Sequence, residues 1–302
     1  MPFHIVVALD GSALAEAVLP PTQVLARALG GSLTLLHVVE VPADAQLARH
    51  PTMQGMVEAE QQRALRYLEG VEARVKGEGL SVAHVVERGD PGTEIVKYAA
   101  ANGADLLAIA SHGRSGPQRW FYGSVAEKVL GLARVPVLLV RSTAELAAPL
   151  TAVRRLVVPL DGSELSATAL PVAQRLAKAL GVPVTLVQAY GVPTSIYAAN
   201  EPMYGSGFDI GQLLTDLKAA AQEDLDQASA RVQQAGLAVD TVLFEGPAAR
   251  VIVDEARREA GSVVVMSTHG RSGFAGALLG SVARQVLRSD IVTITIPPGA
   301  AD

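Results

Sequence analysis

Short apolar runs alternate with segments of helical period along the whole chain. Ile5 to Leu9, Ser32 to Val39, Ser81 to Glu87, Leu106 to Ala110 and Val137 to Val140 are rich in Val, Ile and Leu and mostly apolar on both faces. Such runs read as strands of a parallel sheet covered by helices on each side. Between them, apolar positions recur at helical spacing. In Ala13 to Leu29, residues Ala17, Val18, Val24, Leu25 and Leu29 fall on overlapping turns, and Ser12 stands where a cap is needed. Leu165 to Leu180 repeats this after Ser163. Pro20 and Pro171 occupy matching places in the two segments and each removes a backbone donor, so both helices are expected to bend or break there.

The whole order of strand, helix, strand, loop, helix, strand, helix, strand, helix, strand occurs twice, and one phrase marks the repeat. Ala110-Ser111-His112-Gly113-Arg114-Ser115-Gly116 is followed by Gly123-Ser124 with nine residues between Gly113 and Gly123. Ser267-Thr268-His269-Gly270-Arg271-Ser272-Gly273 is followed by Gly280-Ser281 after the same nine-residue gap. Each copy leaves an apolar run (Asp105 to Ile109, Ser262 to Met266) and enters a helix-forming stretch (Val125 to Leu132, Val282 to Leu287). The chain is a tandem duplication. Asp10 and Asp161 lie 151 residues apart but Gly113 and Gly270 lie 157 apart, so the second half carries six extra residues, placed in an irregular loop from Gly191 to Gly211. Its counterpart, Val41 to Met56, also reads as a long loop. The small, Ala-rich stretch Ser142 to Val153, followed by Arg154, Arg155 and a strand from Leu156, is the candidate linker. The expected domains are 1–143 and 153–298.

Composition narrows the field. The chain has 302 residues, 49% of them hydrophobic, enough for two domains each with its own core. A formal charge of −5 with dispersed arginines argues against nucleic acid as a principal partner. The absence of cysteine excludes disulfides, thiolate zinc sites and cysteine nucleophiles, and six histidines show no H-x-x-x-H spacing, so no metal site is expected from protein ligands alone. The N-terminus reads as a strand ending at Asp10 rather than a signal peptide, and apolar runs fall short of the roughly 18 residues of a membrane span. No membrane partner and a cytoplasmic location are expected.

Ligands of open parallel sheets sit at the carboxyl ends of strands where the strand order reverses. Asp10-Gly11-Ser12 and the stretch from Ala110 to Gly116 would meet there if the first and fourth strands are neighbours. Gly113 would let the backbone approach phosphates, and Gly123-Ser124 would offer N–H groups, a positive dipole end and a hydroxyl; Gly270, Gly280 and Ser281 repeat the set. A bland alternative makes these glycines tight turns and the serines N-caps, but two copies with one spacing favour a ligand. Asp10 and Asp161 are either turn formers only or carboxylates that also touch ribose, base or bound Mg²⁺. His112 and His269 either contact phosphate or orient the loop. Arg114 and Arg271 either pair with a polyphosphate or are solvated.

In these residues each half resembles a universal stress protein domain. ATP-binding members of that family carry G-x-x-G, nine residues, then G-[ST] after the fourth strand, with an aspartate ending the first. The second glycine, the gap and the G-S match in both halves, whereas the first glycine is Ala110 or Ser267, where any positive-φ backbone would be disfavoured. The resemblance implies an α/β fold of two tandem, open twisted five-stranded parallel sheets flanked by helices, strand order 3-2-1-4-5, of the adenine nucleotide alpha hydrolase-like type. It implies pairing of the two domains through their fifth strands, Val137 to Val140 with Val292 to Ile296, and further association as a homodimer.

By the same resemblance, ATP or another adenine nucleotide, with Mg²⁺, would contact Ala8, Leu9, Asp10, Val38, Ile109, Ala110, His112, Gly113, Arg114, Gly123, Ser124 and Val125. The second site would comprise Pro159, Leu160, Asp161, Ala189, Met266, Ser267, His269, Gly270, Arg271, Gly280, Ser281 and Val282. The implied role is a nucleotide-dependent regulatory module of the stress response, with no catalytic residue assigned. Two other readings are a slow Mg²⁺-dependent ATPase, for which no G-x-x-x-x-G-K-[ST] loop and no lysine in either glycine turn is present, and a nucleotide-free scaffold. The longer loop of the second half, with Tyr197, Tyr204 and Phe208, is expected to lie over its site as a lid.

Overall fold

A computed structural model describes residues 2–42, 44–111, 123–141, 150–191, 209–270 and 279–300. The first half runs β1 (His4–Ala8), α1 (Ala13–Glu16), α2 (Leu19–Ala28), β2 (Ser32–Glu40), α3 (Ala45–Arg49), α4 (Pro51–Gly77), β3 (Ser81–Gly89), α5 (Pro91–Ala101), β4 (Leu106–Ala110), α6 (Ser124–Leu132) and β5 (Val137–Val140). The second runs β6 (Arg155–Leu160), α7 (Glu164–Ala167), α8 (Ala169–Leu180), β7 (Val184–Tyr190), α9 (Ile210–Gln234), β8 (Val239–Glu245), α10 (Ala248–Arg257), β9 (Ser262–Ser267), α11 (Ser281–Leu287) and β10 (Thr293–Ile296).

The strand order is β3-β2-β1-β4-β5-β10-β9-β6-β7-β8, so each half has the order 3-2-1-4-5 with parallel neighbours. The halves meet at one antiparallel pair, in which Thr293 opposes Leu139 and Thr295 opposes Val137. Strand alternation divides the core. Ile5 and Val7 join Leu33, Leu35, Leu156, Val158 and Ile294 in a cluster that spans both halves on one face. Val6 and Ala8 face the other side with Leu36, Leu107 and Ile109, and Leu279 and Leu287 of the second half are buried in that same cluster. Each fully buried Leu or Ile contributes about 1.5–3 kcal/mol relative to exposure.

The prolines act as the sequence indicated. The first helical segment breaks at Ala17 and Val18, and α2 then starts with Pro20 and Pro21 in its first turn, where no intrahelical donor is required. Its counterpart breaks at Thr168, and α8 carries Pro171 three residues later. Ser12 and Ser163 cap the short leading helices by accepting from Ala15 and Ser166 N–H.

One expectation is corrected: Val41 to Met56 is not an irregular loop, since it holds α3 and the first turns of α4. Asp44 caps α3 through Gln46 and Leu47 N–H, and Pro51 at the first position starts α4 directly behind it. Two smaller boundaries also move. β6 begins at Arg155, and the Gly191 to Gly211 stretch ends in helix, with α9 starting at Ile210 behind the Asp209 cap. The proposed lid residues Tyr197, Tyr204 and Phe208, and linker residues 142–149, lie outside the described residues. Among the described residues, no helix is long and apolar enough to cross a membrane.

α5 is held at its start by Asp90, which accepts from the Thr93 N–H (2.9 Å) and hydroxyl (2.7 Å) and pairs with Lys128 of α6 at 2.6 Å. The Lys128 bond first, then those from Thr93, hold the Asp90 carboxyl at about 2. Asp90→Ala is expected to lower stability by about 1 kcal/mol at neutral pH, the usual loss for a helix cap. Because the folded pKa is depressed, the contribution is present above the unfolded value near 4 and lost as pH falls toward 2. Urea unfolding at pH 7 and pH 2 should show the wild-type and variant curves converging at the lower pH.

Candidate functional site

β1 and β4 are neighbours, Ile5 beside Leu106 and Val7 beside Ala108, so the order reverses between them and their carboxyl ends flank a crevice. The turn after β1 is built by Asp10. Its Oδ1 accepts from Ser12 N–H at 2.9 Å and Ser12 hydroxyl at 2.7 Å, while Gly11 takes a φ of 86° that disfavours any side chain. Asp161, Gly162 (φ 77°) and Ser163 repeat the arrangement, with Ser163 N–H 3.0 Å from Oδ1. The turn-forming role thus holds in both halves and engages Oδ1.

After β4 the chain leaves at Ser111 and returns at Gly123, whose N–H donates to Ser111 carbonyl at 2.8 Å; Gly280 N–H donates to Thr268 carbonyl at the same distance. Gly123 and Gly280 are the cap residues of α6 and α11, and Ser124 and Ser281 are the first helical residues, with no side-chain capping bond at either end. The serines are therefore not N-caps. In α6 the first N–H groups and the Ser124 hydroxyl remain at the mouth of the crevice, a suitable place for an anion.

These elements enclose a cavity of about 600 Å³ in the first half. Nine of its twelve candidate residues line it: Ala8, Leu9, Asp10, Val38, Ile109, Ala110, Gly123, Ser124 and Val125. His112, Gly113 and Arg114 lie outside the described residues, as does Arg271 of the second set. In the second half, Pro159 and Leu160 end β6 with Asp161 following, Ala189 lies in β7, Met266 and Ser267 end β9, and Gly280, Ser281 and Val282 open α11. Ser267 hydroxyl donates to the His269 carbonyl, and His269 Nδ1 lies 3.0 Å from Thr268 Oγ1.

The two departures from the glycine pattern carry no backbone strain. Ala110 and Ser267 are the last residues of β4 and β9, and no non-glycine residue among those described has a positive φ. Gly270 is required for a different reason. A Cβ there would overlap Asp161 Oδ2 and stand 3.1 Å from its Cγ, so the loop backbone passes directly over the carboxylate.

One wall was not anticipated. Met53, Met56, Val57, Glu60 and Arg63 of α4 close the cavity opposite β4, with Glu40 at the end of β2 and Pro91 and Ile95 of α5 beside them. Met53, Met56, Val57, Glu60 and Ala64 recur at spacings of three and four, a helical face that the sequence does contain. Glu60 and Arg63 form an ion pair on that wall. Among the described residues no three His, Asp or Glu gather as a metal site.

A family model described as the universal stress protein family matches residues 1–141 and again 152–292. Universal stress protein YxiE of Bacillus subtilis is 27% identical over 146 residues, 45% of this chain and 96% of that protein. Universal stress protein MJ0531 of Methanocaldococcus jannaschii is 32% identical over 136 residues, 45% of this chain and 76% of that protein. A solved structure of a universal stress protein from Archaeoglobus fulgidus superposes with a TM-score of 0.70 at 19% identity, covering 97% of both chains.

Proposed function

The chain belongs to the universal stress protein family, and from that premise we propose that it is a cytoplasmic, nucleotide-dependent regulatory module that binds ATP or another adenine nucleotide in each half. The observation that carries this reading is the first-half cavity. It brings Asp10, the α6 N-terminus with Ser124 and the apolar side chains of Val38, Ile109 and Val57 around one space. An aromatic base fits apolar walls, a ribose fits a carboxylate acceptor, and phosphates fit backbone N–H groups at a helix start. Mg²⁺ would arrive with the phosphates, which supply most of its oxygen ligands in such sites.

The proposed second site is built on Asp161, Gly270, Gly280 and Ser281. The domains are proposed as 1–143 and 153–298. Their pairing through β5 and β10 would act as a built-in dimer, with further association into homodimers through other surfaces.

Calorimetric titration of nucleotide-stripped protein with ATP and Mg²⁺ tests the reading. Two binding events per chain are expected. Absence of binding heat, together with no nucleotide released from the purified protein on denaturation, would replace this reading with the scaffold.

A further inference from the structure

The α4 helix is held to the protein in two different ways along its length. Its later turns bury Ala64, Leu68, Val71 and Val75, the last three within the core cluster that spans both halves. From 46 to 63 no residue is buried. Met53, Val57 and Glu60 are half-buried there and line the first-half cavity, whereas Met56 lines it while 61% exposed. We propose that residues 45–63, which comprise α3 and the leading turns of α4, form a lid that opens independently of the rest of the first half and is held shut by the ligand. This rests on the nucleotide-binding reading above.

Apolar side chains hold a helix in place in proportion to the area they remove from water. Leu68, Val71 and Val75 do this fully, with 2% exposure or less. Met53 and Val57 instead face a cavity of about 600 Å³, so a ligand seated in it covers their surface and couples its own binding to closure of the helix. Segments with little buried apolar area open at a lower free energy than the core to which they are joined. The Glu60–Arg63 ion pair is internal to α4 and does not fasten it to the sheet. Arg88 of β3 donates from Nε to Gln61 Oε1 at 3.0 Å, next to the junction between the two parts of the helix.

Each part of α4 carries one exposed glycine in its interior, Gly55 in the lid and Gly70 in the anchored turns. A Cβ at either position meets nothing within 4 Å. Alanine at either site therefore strengthens the helix by its propensity alone, about fivefold in the local equilibrium, without touching the cavity. The pair separates motion of the lid from any general effect of a firmer helix.

The test is amide hydrogen exchange of the full chain with and without Mg²⁺-ATP, together with the rate of ATP release from the first half, identified as the release phase that persists in Gly270→Asp. Without ligand, amides 55–63 are expected to exchange at least about tenfold faster than amides 64–75. Mg²⁺-ATP at about a hundred times its Kd should slow amides 55–63 by about a hundredfold. Gly55→Ala should slow both their ligand-free exchange and first-half release about fivefold, and Gly70→Ala should change neither. Amides 55–63 as slow as 64–75 in the free protein, exchange unmoved by bound ATP, or equal effects of the two alanines on release would each overturn the lid while leaving the nucleotide reading intact. Absence of binding heat removes the nucleotide reading and ligand-driven closure with it.

Discussion

Gly270→Asp is expected to weaken nucleotide binding in the second half by about a hundredfold while leaving the first half within about twofold, because distant sites respond nearly independently. The glycine does not serve a left-handed turn, since its φ is not among the positive ones. It serves proximity: any Cβ would collide with Asp161 Oδ2. An aspartate side chain adds a second carboxylate beside the first, in the space proposed for the nucleotide, so steric displacement and like-charge repulsion act together. Calorimetry should report a stoichiometry falling from two to one. Two sites of unchanged affinity would sink the assignment of this loop. Gly270→Ala separates the two effects, since it keeps the collision and omits the charge.

Glu255→Ala is expected to produce a large loss of stability, about 3 kcal/mol, by leaving the buried Arg155 guanidinium with only Glu259, 51% exposed and 3.4 Å from Nε, as counter-ion. Arg155 opens β6 with its side chain 11% exposed, and its Nη1 lies 2.9 Å from Oε1 of Glu255, itself 4% exposed. Ser262 hydroxyl accepts from Arg155 Nε at 2.9 Å, and Arg258 approaches Glu255 Oε2 at 2.8 Å. Removing Glu255 strips the group both arginines share. The shift should appear in the urea midpoint at pH 7, and a change below about 1 kcal/mol would mean the pair is hydrated and worth no more than a surface bridge. Glu255 lies in α10 and holds the start of β6, the opposite end of that strand from Asp161, so nucleotide affinity at temperatures below unfolding is expected to persist.

Much of this was legible beforehand because it depends on local periodicity and on the duplication. Strands such as Leu106 to Ala110 and Val137 to Val140 match to the residue, since an apolar run bounded by polar turns leaves little freedom of register. The helix breaks before Pro20 and Pro171 follow from a missing donor. The crevice between β1 and β4 was also readable, through Asp10 and the paired glycine phrase.

The α4 wall was missed for a physical reason. Its first turns are mixed in polarity, with Glu58, Glu60, Gln61 and Gln62 among Met53, Met56 and Val57, and their apolar residues face a cavity rather than a core. A partial stripe beside His50 and Pro51 looks like loop until the spacing of three and four is followed into Ala64 and Leu68. Nor does the sequence reveal why Gly270 is glycine, because the collision partner, Asp161, lies more than a hundred residues away in the chain.

The antiparallel pair of Leu139 with Thr293 joins two segments of one polypeptide. An association between separate subunits would follow mass action and loosen on dilution, whereas this one is unimolecular and indifferent to how much protein the cell makes. A tandem chain that pairs in this way holds its two halves at a fixed one-to-one ratio. Neither half has to match an identical copy, so contacts such as Gln188 Nε2 to Asp224 Oδ2 in the second half need no twin in the first.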